Sequence, residues 1–551
     1  MKTPPLLIAG FLLVITLLVL QVDVYGHGPT RHKFLQARRL AQAKADRQAE
    51  EPAGTNGSRD TCQLTIDLVD RETRRSLPGL VRATNLSSGK AVKLNGLIHR
   101  AMNWYAMPEK ATVEVPRTQL KIEAFWGLET ERQKIVVDLT DRDNSTVQLP
   151  LNRFHDAAAK GLKSGNTHLH LTRITHAEAH RYLQIVPRAD NLDLVYLSYL
   201  RRLPDERNYI SNEIVFNSFT GGDLKRLSQQ EVLFTNGEEH RHNFGRGGEG
   251  YGHVMLLDLV KLILPVSIGP GIMQSGTDGI PLQRGIQTAR EDGASVIWCH
   301  NTFGFEDVPN WMEGLLDAQN IFDGGTQGSY QDSFYRYLNL GLHVPFSTGT
   351  DWFIYDFSRV YVPIDGELSS EKWLVQLAAG RTYITNGTFL EFQAAGRQVG
   401  DTIHLSDPAE IAIRGRGSGR NDFGTLQAVH NGKVVGAAEA VAVGGHFAAD
   451  IQLTFQVDGP GWVALRVAPN PDKKNELDQP LFAHTSPIYI EIGSRRIFDP
   501  DIARELISEI EQNIEVIKSK GTFADQAERD AVLNVHRRGI ESLRQRLELH
   551  Q

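Results

Sequence analysis

The 551-residue sequence predicts a multidomain fold, α/β in the centre and all-β on either side. In the central part, short apolar runs broken by glycine alternate with helical segments, which is typical of βα units that form a parallel sheet or barrel. On either side of it, strand-like stretches with period-two alternation follow one another closely, as in β-sandwiches. At the C-terminus, apolar residues recur at helical spacing and predict a helical hairpin.

The first 26 residues predict export from the cytoplasm. Residues 6–20 form an apolar run that follows a single early charge, Lys2, and leads to the exit Val24-Tyr25-Gly26. The run is shorter than the roughly 20 residues that span a membrane, so a signal peptide is favoured. Without cleavage, residues 6–20 would instead anchor the protein to the membrane. We therefore expect a secreted or periplasmic protein, with membrane anchoring as the alternative.

Composition divides the rest of the chain into a linker and four units. Residues 27–60 are rich in Ala, Gln, Arg and Glu, can bury little, and predict a linker. The units that follow are an N-terminal β-sandwich at 61–153, the central unit at 160–388, a C-terminal β-sandwich at 389–494 and the helical hairpin at 498–551. The net charge of −7 gives no support to nucleic-acid binding. Of the two cysteines, Cys62 and Cys299, we expect the second to be a buried residue of an apolar strand.

The central unit carries five short polar motifs that together predict a metal site. Residues i and i+2 of a strand share a face, so two histidines separated by one residue can point at the same ion. Four of the motifs lie where an apolar run meets a loop, and the C-terminal ends of parallel strands collect at one face of such folds. A lone histidine pair is more often exposed to solvent, but five coincidences make that interpretation weak. The motifs are Thr167-His168-Leu169-His170, Gly237-Glu238-Glu239-His240, Gly252-His253, His300-Asn301 and Gly349-Thr350-Asp351.

The order of these motifs resembles that of the PHP (polymerase and histidinol phosphatase) metallohydrolase superfamily. Within it, the chain is most similar to the CehA/McbA branch, the carbaryl-hydrolase-like proteins. Three further segments have the layout of that branch: Gln319 to Gly324, Tyr335 to Gly341 and Arg381 to Gly387. The resemblance covers roughly residues 160 to 390 and implies that the central unit is a PHP-like β/α barrel.

The resemblance also implies a set of ligands for divalent metal ions, Zn or Mn, with one or two ions per chain. It assigns His168 and His170 to one ion, His253 and His300 to a second, Glu239 to a bridging position, and Asp351 to the closure of the site. The adjacent Glu238 could take the role of Glu239. Where the family often has Asp-His after its second strand this chain has Ser198, and Phe353 replaces a histidine after Asp351, so a third ion lacks its usual ligands.

Bound divalent ions polarise a carbonyl or phosphoryl oxygen and lower the pKa of a bound water to about 7. The sequence therefore predicts an exported metal-dependent hydrolase of an ester, amide or carbamate, whose substrate is a small molecule or a polymer. Glu238, His240 and His242 are candidates for proton transfer or for orienting the ligands.

Two alternatives stay open. The first is a metal-dependent phosphoesterase, which a cluster of Arg or Lys around the metal would favour. Candidate residues for that cluster are Arg173, Arg241, Arg246, Arg284, Arg290 and Arg336. The second is a catalytically inactive extracellular protein that binds metal or carbohydrate.

Overall fold

The computed structural model describes residues 60–171, 174–198, 221–228, 231–244, 250–271, 273, 276–301, 304–325 and 328–550. The predicted signal or anchor segment and nearly all of the predicted linker lie outside these residues. Within the described part of the chain, no helix is both long and apolar enough to cross a membrane. The structure is mixed α/β, with many strands in several sheets and few helices. The predicted fold is confirmed at this level, whereas the exact domain boundaries stay a prediction.

The N-terminal part consists of two sheets that share one apolar core. One sheet has the order β6-β1-β9, and the other has the order β4-β5-β2-β7-β8 with β3 paired to β2. Alternate residues of β1, namely Cys62, Leu64, Ile66 and Leu68, are buried in the core between them, as the period-two pattern predicts. The strands are β1 (Thr61–Asp70), β2 (Gly79–Asn85), β3 (Ala91–Val92), β4 (Ile98–His99), β5 (Tyr105–Met107), β6 (Lys110–Pro116), β7 (Gln119–Phe125), β8 (Gln133–Asp138) and β9 (Asn144–Leu151).

Among its described residues, the central part contains eleven strands and six α-helices. Its strands are β10 (Leu162–His170), β11 (Leu194–Ser198), β12 (Leu233–His242), β13 (Gly252–Leu257), β14 (Ser267–Ile268), β15 (Ser295–Trp298), β16 (Ala318–Asn320), β17 (Phe346–Ser347), β18 (Asp351–Trp352), β19 (Arg359–Pro363) and β20 (Tyr383–Thr385). Its helices are α1 (His176–Ala189), α2 (Gly221–Leu227), α3 (Leu282–Glu291), α4 (Asp307–Met312), α5 (Arg336–Leu338) and α6 (Ser370–Ala378).

The pairing of the central strands brings their C-terminal ends to one edge. Strands β10, β11 and β12 pair in parallel, as do β15, β16 and β17, while the antiparallel β13 joins the two groups. Strand β18 then pairs in parallel with β10, so the pairings lead back to the strand on which they began. Because the parallel strands run in the same direction, the polar motifs at their C-terminal ends lie close to one another.

The C-terminal part is again rich in β-structure. Five strands form a separate sheet with the order β22-β21-β24-β28-β27, and the rest extend the central sheet through the pairing of β20 with β30. The Asn431-Gly432 pair joins β25 to β26 with positive φ at both residues, as is typical of a two-residue β-hairpin turn. The strands are β21 (Thr388–Ala394), β22 (Arg397–Gln398), β23 (Thr402–Leu405), β24 (Ala409–Gly419), β25 (Thr425–His430), β26 (Lys433–Glu439), β27 (Val441–Val443), β28 (His446–Val457), β29 (Gly461–Val467), β30 (Ala483–Thr485) and β31 (Ile488–Ile492).

Two long helices end the chain, as the sequence predicts. They are α7 (Pro500–Lys520) and α8 (Gln526–Leu549). Asp499 and Asp525 cap their N-termini by accepting hydrogen bonds from backbone N–H groups of the first turn. The helices pack against each other, and Gly539 of α8 lies against Pro309 of α4. The hairpin is thus attached to the central part.

Candidate metal centre

The six predicted ligands lie together at the edge where the central strands end. They form three overlapping groups, in each of which one ligand atom per residue lies within 4.8 Å of the others. All six side chains are buried, with at most 6 % of any residue exposed. The groups are His168, His170 and Glu239; His168, His300 and Asp351; and Glu239, His253 and His300.

The first part of the centre is formed by β10 and β18. Nε2 of His168 lies 3.0 Å from Nε2 of His170, and both atoms lie 3.5 Å from Oδ1 of Asp351. The pairing of Leu169 with Asp351 sets this geometry. A Cβ atom at Gly349 would lie 2.5 Å from Cβ of His168, so the approach of the preceding loop requires glycine.

Glu239 on β12 joins the first part of the centre to the second. Its Oε2 lies 3.3 Å from Nε2 of His170, while its Oε1 lies 3.0 Å from Nδ1 of His253 and 3.2 Å from Nε2 of His300. The two oxygens of one carboxylate therefore face two different groups of nitrogen atoms. This is the placement expected of a carboxylate that bridges two ions.

Asp323 also belongs to the centre, although the sequence analysis did not select it. Its Oδ2 lies 2.8 Å from Nδ1 of His168, and its Oδ1 lies 3.2 Å from Nδ1 of His300. Asn320 donates a further hydrogen bond to Oδ2. A histidine that donates its Nδ1 proton to a carboxylate keeps the Nε2 lone pair available to a metal ion. Asp323 follows the end of β16 by three residues. This position just after a strand end is the feature of the sequence that could have identified it as a residue of the centre.

Arg241, one of the candidate arginines for a basic cluster around the metal, contacts the centre. It follows Glu239 by two positions on β12, so both side chains lie on the same face of the strand. Its Nη1 donates to Oε2 of Glu239 at 2.6 Å, and its Nε donates to Oγ of Ser267 at 3.2 Å. Burial raises the pKa of Glu239, but Arg241 and His253 outweigh burial and hold it well below its usual range.

The surroundings shift the pKa values of the four histidines in opposite directions. Burial is the main cause that lowers the pKa of His253 to about 4, and it also lowers the pKa of His170. Burial acts in the same direction on His168 and His300, but carboxylates outweigh it and raise both pKa values. For His168 the main carboxylates are Asp351 and Asp323.

The donor set fits divalent metal ions. Bonds of 2.0–2.2 Å in tetrahedral geometry place neighbouring ligand atoms about 3.3–3.6 Å apart. The closest distances between side-chain nitrogen and oxygen atoms of His168, His170, Asp351 and Glu239 are 3.0–3.5 Å, close to that spacing. Imidazole nitrogen and carboxylate oxygen are also the ligand types that zinc and manganese accept. Buried His, Asp and Glu clusters of this chain could therefore hold metal ions.

Several residues at the centre have a strained backbone. The φ angles of His300, Asn301, Phe322, Asp351 and Phe353 lie between 54° and 65°. Residues other than glycine rarely adopt this left-handed conformation, and such strain is often found at functional sites. Two of the predicted ligands, His300 and Asp351, are thus themselves held in this conformation.

The structure does not bring Glu238, His240 and His242 to this cluster. The sequence predicts a loop at the motif Gly237-Glu238-Glu239-His240, but strand β12 continues through it to His242. Alternate side chains of a strand point to opposite faces, so these three lie on the face opposite Glu239. His240 packs against Gly285 of α3, and the ring of His242 stacks on that of Tyr251 at 3.7 Å. Glu239, and not Glu238, faces the other predicted ligands.

The cysteines do not form a disulfide, since Cys62 and Cys299 are both buried and free. Burial of Cys299 is as predicted, and its Sγ lies within 4.8 Å of ligand atoms of His168 and Asp323. Burial raises the pKa of its thiol well above the usual value, which favours the neutral thiol.

No protein-family model matches the chain, and a search of curated proteins finds no match.

Proposed function

We propose that this chain is a divalent-metal-dependent hydrolase that cleaves an ester, amide or carbamate. The observation that carries the proposal is the position of Glu239, whose two carboxylate oxygens face separate groups of histidines. A buried carboxylate between two nitrogen groups suits two neighbouring ions that share it. Two-metal sites of this kind are common in hydrolases.

The proposal includes a PHP-like β/α barrel for the central unit. The pairings that lead from β10 back to β10 through β18 support it, as does the collection of polar residues at the C-terminal strand ends. Active sites of β/α barrels lie at that end of the strands. The resemblance in motif order supports the same architecture.

Divalent ions held at such a centre polarise the scissile carbonyl group and activate water for attack. The residues of the chain position that chemistry. Asp323 holds the rings of His168 and His300 through their Nδ1 atoms, which directs both Nε2 atoms toward the cluster. Arg241 fixes Oε2 of Glu239 and keeps that carboxylate ionised. The burial of all six ligand residues strengthens each of these electrostatic interactions.

The arginines of the central unit support a carbonyl substrate over a phosphoester. Arg241 contacts the cluster, but its Nη1 is engaged with Glu239. Arg284 donates to the backbone of Leu264, and the other two described candidates, Arg290 and Arg336, form ion pairs with Asp317 and Glu509. Arg173 and Arg246 lie outside the described residues. Among the described candidates, the arginine that contacts the centre is therefore Arg241, and it already binds a carboxylate rather than offering a free site for a phosphate group.

A reconstitution assay tests the proposed activity. The full chain is stripped with a chelator, reconstituted with Zn²⁺ or Mn²⁺, and assayed on 1-naphthyl acetate, an acyl anilide, 1-naphthyl N-methylcarbamate and p-nitrophenyl phosphate. We expect metal to restore hydrolysis of at least one of the first three substrates, and Glu239→Gln to abolish it. The exposed Glu410→Gln is the matched control and should retain activity.

The same assay separates the alternatives. Turnover of the phosphate substrate alone would replace the proposal with a phosphoesterase. Metal binding without turnover of any of the four substrates would favour an inactive metal-binding protein.

We also propose that the protein acts outside the cytoplasm, on the basis of the apolar run at residues 6–20. Protein recovered outside the cytoplasm is expected to lack residues 1 to about 26 after signal cleavage. N-terminal sequencing measures this directly. An intact N-terminus in the soluble cytoplasmic fraction would contradict export.

A further inference from the structure

A cavity of about 830 Å³ lies between the five-stranded C-terminal sheet and the start of β10. Leu162, the first residue of β10, lines it, whereas His168 and His170 lie near the other end of that strand. A strand rises about 3.3 Å per residue, so six residues place the cavity about 20 Å from the metal centre. The cavity is thus separate from the candidate metal centre, and its volume falls in the range of small-ligand sites.

One wall of the cavity carries two arginines with different neighbours. Arg416 on β24 lies in register with Glu391 on β21 and Asp450 on β28, and it forms an ion pair with Asp450 at 2.9 Å. Two residues earlier on the same face, Arg414 lies in register with Gln393 and Gln452. Directly opposite residues on neighbouring strands are the ones whose side chains interact. The neighbouring strands therefore place acidic side chains opposite Arg416 and only neutral amide side chains opposite Arg414.

A third arginine lines the cavity from the central part of the chain. Arg381 precedes β20, and neither Arg381 nor Arg414 forms an ion pair with another described residue. Lys160, by contrast, pairs with Glu391. In total, four cationic and three anionic side chains line the cavity, which gives it a formal charge of +1. Such a charge is matched by a ligand with one negative charge.

The remaining lining is largely apolar and aromatic. The rings of Tyr361 and Tyr383 stack with their centroids 5.0 Å apart, and Leu162 and Val399 add apolar surface. Aromatic and apolar side chains favour a ligand that has an apolar body. Arginine binds a carboxylate through two parallel N–H···O bonds, and the amides of Gln393 and Gln452 are further donors.

We propose that this cavity binds a small organic monoanion, namely a carboxylate attached to an aromatic or apolar body. The ligand places its carboxylate between Arg414 and Arg381 and its apolar body against Tyr361 and Tyr383. The site does not rest on the proposed hydrolase activity, because none of the metal-centre residues lines the cavity.

Calorimetry with two isosteric probes tests this site. The full chain is first stripped of metal with a chelator, so that a carboxylate cannot bind to an ion. We expect naphthalene-2-carboxylate to bind with one-to-one stoichiometry and at least ten-fold more tightly than naphthalene-2-carboxamide. Because the attraction is between charges near solvent, the difference should shrink as the salt concentration rises.

Variants locate the binding. Arg414→Gln combined with Arg381→Gln should reduce the affinity for the carboxylate to that for the carboxamide. Arg71→Gln removes an exposed guanidinium from the N-terminal part and should leave binding unchanged. Equal affinity for the two probes would overturn the proposal, and so would full retention of carboxylate binding in the double variant.

Discussion

Oδ2 of Asp323 lies 2.8 Å from Nδ1 of His168, and both side chains are fully buried. The two residues are 155 positions apart in the sequence, so only the fold brings them together. The same carboxylate contacts Nδ1 of His300. Asp323 therefore orients rings from both parts of the proposed centre, and its loss should weaken both.

Asp323→Asn is expected to lower metal affinity by about 10- to 100-fold, the usual effect of losing a partner that orients a ligand. The amide cannot accept both ring N–H protons as the carboxylate does. Competition with a chromogenic chelator measures the affinity. Asp332→Asn, at an exposed position, is the control and should bind metal like the parent chain. Unchanged affinity in Asp323→Asn would show that the aspartate does not support the ligands.

The adjacent carboxylates Glu238 and Glu239 should respond differently to substitution. Glu239→Gln removes a charge that faces His170, His253 and His300 and should strongly reduce bound metal. Glu238→Gln alters the opposite face of β12 and should retain metal. Elemental analysis of both variants, with circular dichroism to verify folding, makes the comparison. The reverse pattern would assign the bridging role to Glu238.

Gly285→Ala should destabilise the protein by about 1–3 kcal/mol, the usual cost of overpacking a core. A Cβ atom at Gly285 on α3 would lie 2.0 Å from Nε2 of the buried His240. The gain in helix propensity, at most about 1 kcal/mol, is smaller than this cost. Denaturant unfolding measures the change. Gly459→Ala, where a Cβ atom would meet nothing within 4 Å, is the control and should change stability little.

His155 should make the protein sensitive to acid. Its ring stacks on Phe389 with centroids 3.8 Å apart, and burial lowers its pKa from 6.5 to about 3. Below the unfolded pKa the unfolded chain binds a proton that the folded chain does not, so stability falls as pH falls from 6.5 toward 3. His155→Phe should remove up to about 1.4 kcal/mol per pH unit of that slope. The measurement is the unfolding free energy of the parent chain and of His155→Phe across this pH range. Equal slopes for the two proteins would contradict the assignment.

The six residues that the sequence predicts as ligands lie together because a simple rule places most of them. In parallel strands the C-terminal ends meet at one edge, and His168, His170 and His300 lie at or just after such ends, while Asp351 begins β18 and pairs with Leu169 of β10. The same rule applies to Asp323, which follows β16. It was missed because an Asp-Gly pair after a strand is also an ordinary turn signal.

Glu238, His240 and His242 lie away from the cluster for a different reason. The sequence predicts a loop at the motif Gly237-Glu238-Glu239-His240, but β12 extends to His242 with every residue from Glu238 onward buried. The burial of so many polar groups depends on partners from distant parts of the chain, which the local sequence does not reveal. His242, for example, contacts Asp278 and Tyr251. Once the strand is known, alternation alone separates Glu239 from its neighbours.

The central claim is that Glu239 bridges two ions, and metal stoichiometry tests it most directly. The full chain is reconstituted with Zn²⁺ or Mn²⁺, desalted and analysed by elemental mass spectrometry. The account predicts two divalent ions per folded chain, a large loss in His168→Ala and no loss in Arg38→Ala. A folded parent chain that retains fewer than two divalent ions, or a His168→Ala variant with full metal content, would contradict it.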